Sequence, residues 1–273
     1  MKYDVIIAGG GISGSIAAIS AARCGARTLL IEKWGFLGGM LTAAGVGPMM
    51  SFHAGDKQVI RGITGELIDR LVLKGKSPGH IIDTTTYVST VTPFDYEGMK
   101  FELEDMLLDS KGEILYHTMV ADVQTENGYI NSITVCNKSG LTNLESRIYI
   151  DATGDADIAA WAGVPFTYGR SIDSKAQPMT MIIRMANVYI DEIKEYIRNN
   201  REEFPEYIND IEIIDKAPRL SAGGFGNLLK DAQRCGEINF KRERVPWSMA
   251  KSIILLLLDG AYLLRLRHKP QYV

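Results

Sequence analysis

The sequence predicts an α/β fold built on a parallel sheet, and three neighbouring features near the N-terminus support this prediction. Tyr3–Ala8 is a short apolar run of the kind that forms a buried parallel strand. Residues 9–14, Gly-Gly-Gly-Ile-Ser-Gly, predict a turn that leads into a helical segment at residues 13–24. A second apolar run, Thr28–Ile31, closes a βαβ unit of the usual length. We therefore expect a Rossmann-like domain at the N-terminus.

Further elements are predicted along the rest of the chain. Helical spacing of apolar residues predicts helices at residues 64–74, 95–110, 156–162 and 191–200. Short β-rich runs, separated by Asn-Gly and Ser-Gly turn signals, predict strands at 113–116, 120–123, 129–135 and 146–150. These runs indicate a β-meander. Glycines at 35, 38, 39, 45 and 47 predict irregular backbone, and the glycines at 223, 224 and 226 predict a break.

Composition and charge exclude several classes of protein. The chain has 273 residues, of which 46% are hydrophobic and 23% charged, with a formal net charge of −3; these values are typical of a soluble globular protein. A net charge of this size gives no reason to expect nucleic acid or a membrane as a partner. Cys24, Cys136 and Cys235 form no CxxC pair, so we expect no metal site. Three is an odd number for a disulfide scaffold, so a reducing cytoplasm fits best.

The glycine turn has the spacing of a dinucleotide-binding motif. Gly9 permits the tight turn, Gly11 leaves no side chain between backbone and pyrophosphate, and Gly14 lets the helix lie near the strand. The helix N-terminus adds free N–H groups and the positive end of its dipole. Glu32 ends the second strand, where a carboxylate can accept hydrogen bonds from ribose hydroxyls and would repel a 2′-phosphate. A purely structural turn is the alternative, and this unit alone does not choose between FAD and NAD.

A longer set of motifs resembles a known family. The motifs are Asp4-Val5-Ile6-Ile7-Ala8-Gly9-Gly10-Gly11, Glu32-Lys33, Gly38-Gly39-Met40 and Ile150-Asp151-Ala152-Thr153-Gly154-Asp155. In this order they resemble the FAD-dependent oxidoreductases of glutathione reductase-like fold, near fumarate reductase flavoproteins and heterodisulfide reductase A-like proteins. The resemblance covers roughly residues 1–245. It implies FAD as the cofactor and an enzyme that moves a hydride or electrons between flavin and a small organic substrate or a redox partner protein.

The resemblance also implies the domains and the residues of the cofactor site. It implies an FAD-binding domain at 1–165 that includes the meander, part of an α+β substrate domain at 166–245, and an atypical tail at 246–273. The resemblance assigns the pyrophosphate to Gly9, Gly11, Ser13 and Gly14, and the adenosine to Glu32 and Lys33. The backbone of Gly39, Met40 and Thr42 would line the pyrophosphate and ribityl region, and the backbone of Val120 would contact the adenine. Gly154 and Asp155 lie in a second strand–turn that approaches the cofactor.

Catalytic residues are harder to predict, because a flavin performs the redox chemistry itself. His53 is the candidate, since it follows the glycine-rich loop that should run beneath the flavin; an ordinary loop histidine is the alternative. Arg184 could bind a carboxylate substrate, with surface charge as the alternative.

The end of the sequence departs from the family pattern. We find no second glycine-rich strand–helix junction after Gly226, and the chain ends in an apolar run, Ile253–Leu258, and a basic tail. We therefore expect a truncated chain, with a reading frame shifted after about residue 245. An unclosed sheet edge would favour homo-oligomers through the apolar segment. Two alternatives follow: Ile253–Leu258 supplies a substitute strand, or the chain is an inactive nucleotide-binding fragment.

Overall fold

The computed structural model describes residues 3–85, 87–177, 181–185, 188–207, 210–216, 220–237, 245–250 and 253–258, the segments 181–185, 245–250 and 253–258 by their backbone. The chain divides into two compact units. The first comprises Met1–His80 and Thr90–Tyr168, and the second comprises Ile81–Ser89 and Gly169–Val273.

The first unit contains most of the regular structure. Its strands are β1 (Tyr3–Ala8), β2 (Thr28–Ile31), β3 (Met49–Met50), β4 (His53–Ala54), β5 (Lys57–Gln58), β7 (Thr90–Thr92), β8 (Glu113–Leu115), β9 (Met119–Glu126), β10 (Tyr129–Asn137), β11 (Gly140–Leu144) and β12 (Ser146–Asp151). Its helices are α1 (Ile12–Arg23), α2 (Ile63–Leu73), α3 (Tyr96–Asp109) and α4 (Asp157–Trp161), with a 3₁₀ turn at Gly39–Leu41.

Four parallel strands form the central sheet, in the order β12-β1-β2-β8. Val5 pairs with Thr28 on one side and with Ile148 on the other, so β1 lies between strands that are far apart in sequence. The predicted α/β fold with a parallel sheet is confirmed. A meander is also present, because β9, β10 and β11 form a three-stranded antiparallel sheet. Two of the runs expected in it lie elsewhere: 113–116 and 146–150 correspond to β8 and β12, which pair with β2 and β1 in the parallel sheet. The sequence prediction missed β11, whose residues are almost all exposed and lack an apolar alternation.

Two apolar cores cover the two faces of the parallel sheet. On one face, Ile7 and Leu30 pack with buried residues of α1, α2 and α3. On the other face, Ile6 and Ile31 pack against the meander, through Val123 and Ile133 among others, and against α4. Because successive strand residues point to opposite faces, a strand buried on both faces is apolar throughout. The apolar run Val5–Ala8 in β1 therefore predicts a strand that is buried on both faces.

The helices of the first unit begin and end close to their predicted bounds. Gly25, in the left-handed region at φ 85°, ends α1, and its N–H bonds to the carbonyl of Ala22 at 2.9 Å. Asp95 is the N-cap of α3, as predicted, since its Oδ1 accepts from the Gly98 N–H at 2.6 Å.

The second unit contains β6 (Ile81–Ile82), β13 (Met181–Met185), α5 (Ile190–Asn199), α6 (Ile213–Lys216), β14 (Ser221–Gly224), α7 (Gly226–Arg234), β15 (Val245–Ala250) and β16 (Ile253–Leu258), with 3₁₀ turns at Arg201–Glu203 and Pro205–Tyr207. Its main sheet is antiparallel, in the order β13-β16-β15-β14. Ile197, Phe204 and Tyr207 are fully buried in its core. The division into substrate domain and tail stays a prediction.

Two expectations about the second unit need correction. Ile253–Leu258 does form a strand, but it pairs antiparallel with β13 and β15 and does not extend the parallel sheet. Gly223 and Gly224 end the strand β14, and Gly226 begins the helix α7, so the predicted break is a strand–helix junction. A side chain at Gly224 would meet the Phe204 ring at 2.3 Å, so glycine at that position lets the strand lie on the aromatic core.

In the described part of the chain, no helix combines the length and the apolar character needed to cross a lipid bilayer.

Candidate functional site

A cavity of about 590 Å³ opens in the first unit at the carboxyl ends of the parallel strands. This is the edge of an open α/β sheet at which ligands commonly bind. Three strand ends supply its walls: Ala8 and Gly9 after β1, Glu32 to Trp34 after β2, and Ala152 to Asp155 after β12. The other lining residues are Gly11, Ile31, Gly39, Met40, Ala43, Ala44, Thr118, Met119, Val120 and Asp157.

The glycine turn is required by close contacts of the backbone. Gly9 has φ 98°, and a Cβ there would lie 2.2 Å from the carbonyl oxygen of Ala152 at the end of β12. At Gly14 a Cβ would lie 1.8 Å from the carbonyl oxygen of Gly9. The predicted role of Gly14, to let α1 lie on the strand, is therefore seen directly.

Gly11 differs from these two positions because its Cβ would meet no atom within 4 Å. It is the N-cap of α1, with φ −63° and ψ 179°, and it lines the cavity. The first N–H groups of a helix have no acceptor within the helix. The open face of Gly11 therefore lies where these donors and the positive end of the helix dipole can meet an anion.

A second pair of glycines, Gly38 and Gly39, packs against the glycine turn at residues 9–14. Gly38 donates its N–H to the carbonyl of Gly10 at 2.8 Å, and a Cβ at Gly39 would lie 2.8 Å from Cα of Gly11. The Thr42 hydroxyl donates to the carbonyl of Leu37 at 2.6 Å, and this hydrogen bond joins the two ends of the loop. Gly39 thus presents backbone, and no side chain, beside Gly11, whereas the neighbouring Met40 lines the cavity.

Glu32 is 5% exposed and holds two backbone donors at once. Its Oε2 accepts from the Gly10 N–H at 2.5 Å, and its Oε1 accepts from the Trp34 N–H at 2.8 Å. The carboxylate therefore ties the glycine turn to the segment that follows β2, a structural role that the motif did not predict. It also lines the cavity, so its outer side is available to a ligand.

Asp151 organises the third wall in a similar way. Its Oδ1 accepts from the N–H and hydroxyl of Thr153, at 3.0 and 2.7 Å, and its Oδ2 accepts from the Ala159 N–H at 2.9 Å. These bonds fix the turn that carries Gly154, which has φ 97°. Asp151 belongs to the motif at residues 150–155, but this structural role was not predicted; the available signal was its position at the end of a strand.

Most of the sequence-predicted cofactor residues come together at the cavity. Nine of the twelve line it: Gly9, Gly11, Glu32, Lys33, Gly39, Met40, Val120, Gly154 and Asp155. The remaining three do not: Ser13 is exposed on α1, Gly14 is buried against β1, and Thr42 faces its own loop. Sequence reasoning did not single out Trp34, Thr118 or Met119, which lie beside predicted residues but match no motif.

His53 lies away from the cavity lining, in a pair with His80. Their rings are 5.1 Å apart edge to face, and the Nδ1 atoms lie 3.0 Å from Thr90 Oγ1 and 2.7 Å from Thr92 Oγ1, respectively. Burial, followed by the charge of His53, lowers the pKa of His80, and Asp69 opposes this shift. A catalytic role for His53 stays a prediction.

The other candidate, the side chain of Arg184, lies outside what the structure describes. Within the described residues, no three His, Cys, Asp or Glu side chains cluster as metal ligands would.

Comparison with known proteins decides the family. A sequence model of FAD dependent oxidoreductases matches residues 4–251. The chain belongs to this family. FAD-dependent oxidoreductases are enzymes, and the glycine turn, Glu32 and the turn after β12 all lie within the matched range.

The individual proteins that resemble this chain match it at low sequence identity or over only part of its length. A digeranylgeranylglycerophospholipid reductase of Thermoplasma volcanium is 27% identical over 177 residues, which are 59% of this chain and 42% of that enzyme. A dihydrolipoyl dehydrogenase of Trypanosoma brucei brucei is 48% identical over 46 residues, 17% of this chain and 10% of that enzyme. The crystal structure of CabE, an aromatic hydroxylase from angucycline biosynthesis, has 14% identity and a TM-score of 0.51, over 100% of this chain and 47% of that one. This last likeness concerns the fold alone. The chain spans less than half the length of the reductases it matches.

Proposed function

We propose that this chain binds FAD in the cavity of the first unit and acts as an oxidoreductase, moving a hydride or electrons between the flavin and a small organic substrate or a redox partner. The observation that carries the proposal is the open face of Gly11 at the N-terminus of α1, inside a cavity of about 590 Å³. A cavity of this size falls in the usual range for small-molecule and cofactor sites.

The residues around the cavity fit the adenosine diphosphate part of FAD. Gly9, Gly11 and Gly39 line the cavity, and the open face of Gly11 leaves room for a pyrophosphate, with the N-terminus of α1 as its counter-charge. Glu32 keeps carboxylate lone pairs for ribose hydroxyls, since each oxygen accepts one bond in the structure. When bound, a flavin supplies the acceptor and donor of electrons. The chain contributes binding, orientation and the exclusion of side chains from the pyrophosphate site.

The second candidate is a chain that binds the nucleotide without turnover. It is favoured by the lining of the cavity, whose residues fit the adenosine diphosphate part of FAD. The two candidates share the same cavity and differ only in whether bound flavin is reduced and reoxidised. The cytoplasmic location and the homo-oligomeric state of the chain stay proposals. Light scattering on the purified protein would test the oligomeric state.

A spectrum and one matched pair of variants test the proposal. The purified protein, or protein incubated with FAD, should show the visible flavin bands in a 1:1 ratio and lose them on reduction. Gly11→Val should weaken FAD binding at least tenfold, because its side chain occupies the cavity, with little change in stability. Gly65→Ala is the control: Gly65 lies in α2, away from the cavity, with open space around its Cβ.

The outcomes separate the candidates. A wild-type protein that binds FAD and is reoxidised by an acceptor supports the oxidoreductase. Bound FAD that can be reduced but never transfers its electrons to any acceptor supports the second candidate. A protein that binds no FAD, or whose Gly11→Val variant binds it as tightly as wild type does, contradicts the assignment of the cavity.

A further inference from the structure

A tryptophan that matches no part of the nucleotide-binding motif stands in the cavity wall. Trp34 lines the cavity next to Glu32 and Lys33, and it is 48% exposed. Large aromatic side chains in contact with water offer a flat apolar face, and such faces are common where a planar ligand binds.

The backbone of Trp34 is held on both sides. Its N–H donates to Glu32 Oε1 at 2.8 Å, and its carbonyl accepts from the His117 N–H at 3.3 Å. A Cβ at the next residue, Gly35, would lie 2.8 Å from the His117 ring, so the chain passes close to that ring. Trp34 is therefore tied to the same carboxylate that positions the glycine turn.

The surroundings of the indole suit a purine base. Lys33 Nζ lies 5.8 Å from the centroid of the Trp34 ring, within the range of a cation–π contact. Thr118, Met119 and Val120, at the start of β9, line the same cavity. The ribose-binding candidate Glu32 accepts from the Trp34 N–H, so a base attached to that ribose lies within reach of the indole.

We propose that the Trp34 indole is the stacking face for the adenine of the bound nucleotide, and that it gives the site its preference for a purine. This inference rests on the proposed function, since it assumes that the cavity takes an adenine nucleotide. Stacking of a base on an aromatic side chain strengthens binding by roughly five- to 150-fold. A pyrimidine offers a smaller face and gains less from the same contact.

The test compares two tryptophans of equal exposure. Trp161, in α4, is also 48% exposed and does not line the cavity, so Trp161→Leu is the matched control for Trp34→Leu. Calorimetry would give dissociation constants for FAD, ADP and UDP. Trp34→Leu should weaken FAD and ADP binding about tenfold and reduce the preference for ADP over UDP. Trp34→Phe should restore most of both, and Trp161→Leu should match wild type.

A fluorescence measurement covers the case in which Trp34→Leu fails to fold. With Trp161 and Trp247 changed to phenylalanine, Trp34 is the sole tryptophan of the chain, and saturating ADP should quench its emission. Unchanged emission at saturation, or a Trp34→Leu protein with wild-type affinity and an unchanged ADP-to-UDP preference, overturns the role of Trp34 alone. A wild-type protein that binds neither ADP nor FAD overturns the proposed function and this inference together.

Discussion

Replacing Glu32 by glutamine removes one charge and keeps the shape of the side chain. In the structure the two carboxylate oxygens accept from the Gly10 and Trp34 N–H groups, at 2.5 and 2.8 Å. Glutamine has one acceptor oxygen, so its NH₂ group must face one of these two donors. One hydrogen bond is lost, and a backbone N–H in the wall of the cavity is left without an acceptor.

The expected loss follows from these two bonds. A hydrogen bond to a charged group contributes about 1.5–3 kcal/mol, and a buried donor without a partner costs about 1–3 kcal/mol. We expect Glu32→Gln to lower the free energy of unfolding of the first unit by about 2 kcal/mol. The loss should appear without any ligand, because both bonds lie within the protein.

Urea unfolding followed by circular dichroism, with each transition fitted separately, measures this loss. Glu145→Gln is the control, since Glu145 is exposed between β11 and β12 and surface changes of this kind stay within about 0.5 kcal/mol. A Glu32→Gln protein as stable as the control would refute the structural role of this carboxylate. Glu32 would then matter only for the ligand.

Three further predictions concern other parts of the first unit. Gly14→Ala places a Cβ 1.8 Å from the carbonyl oxygen of Gly9, so it should cost at least about 3 kcal/mol in urea unfolding, the upper end for overpacking; a smaller loss would mean that α1 can move away. Asp95→Ala removes the cap on the Gly98 N–H and should cost about 1 kcal/mol by the same assay, whereas Asp95→Asn should recover most of it. The lowered pKa of His80 means that its neutral form stabilises the fold above pH 6.5, about the unfolded value, and that this contribution is lost as the pH falls from there through the folded pKa. His80→Gln should flatten this part of the stability–pH curve, and an unchanged slope would show that His80 does not titrate in that window.

The elements of the βαβ unit could be predicted because the information lies within each segment. A strand buried on both faces is apolar throughout, as in Val5–Ala8, and a helix that packs closely on it needs glycine and alanine, as at Gly14. The cap at Asp95 is equally local, because its side chain bonds to an N–H three residues ahead. The strand β11 was missed because it is exposed and carries no such pattern.

The site was predicted only where a residue belongs to a motif with its own local geometry. Gly11 and Glu32 meet this condition, and both line the cavity. Thr42 belongs to the glycine-rich loop, yet its hydroxyl turns toward Leu37, because the loop folds back on itself. Nothing in the sequence around His53 indicates its pairing with His80, which depends on a contact 27 residues away along the chain.

The sequence by itself determined the βαβ unit, its glycine turn and the acid that follows it, because each depends on neighbours along the chain. Only the tertiary structure decided which strand lies on the other side of β1. The register that sets Val5 beside Ile148 brings the end of β12 to within 2.2 Å of where a Cβ at Gly9 would lie. That pairing builds the third wall of the cavity, and the position of Trp34 in the wall depends on the cavity as a whole. The pairing of strands that lie far apart in sequence is selected by the packing of the whole sheet, so a local sequence pattern does not predict it.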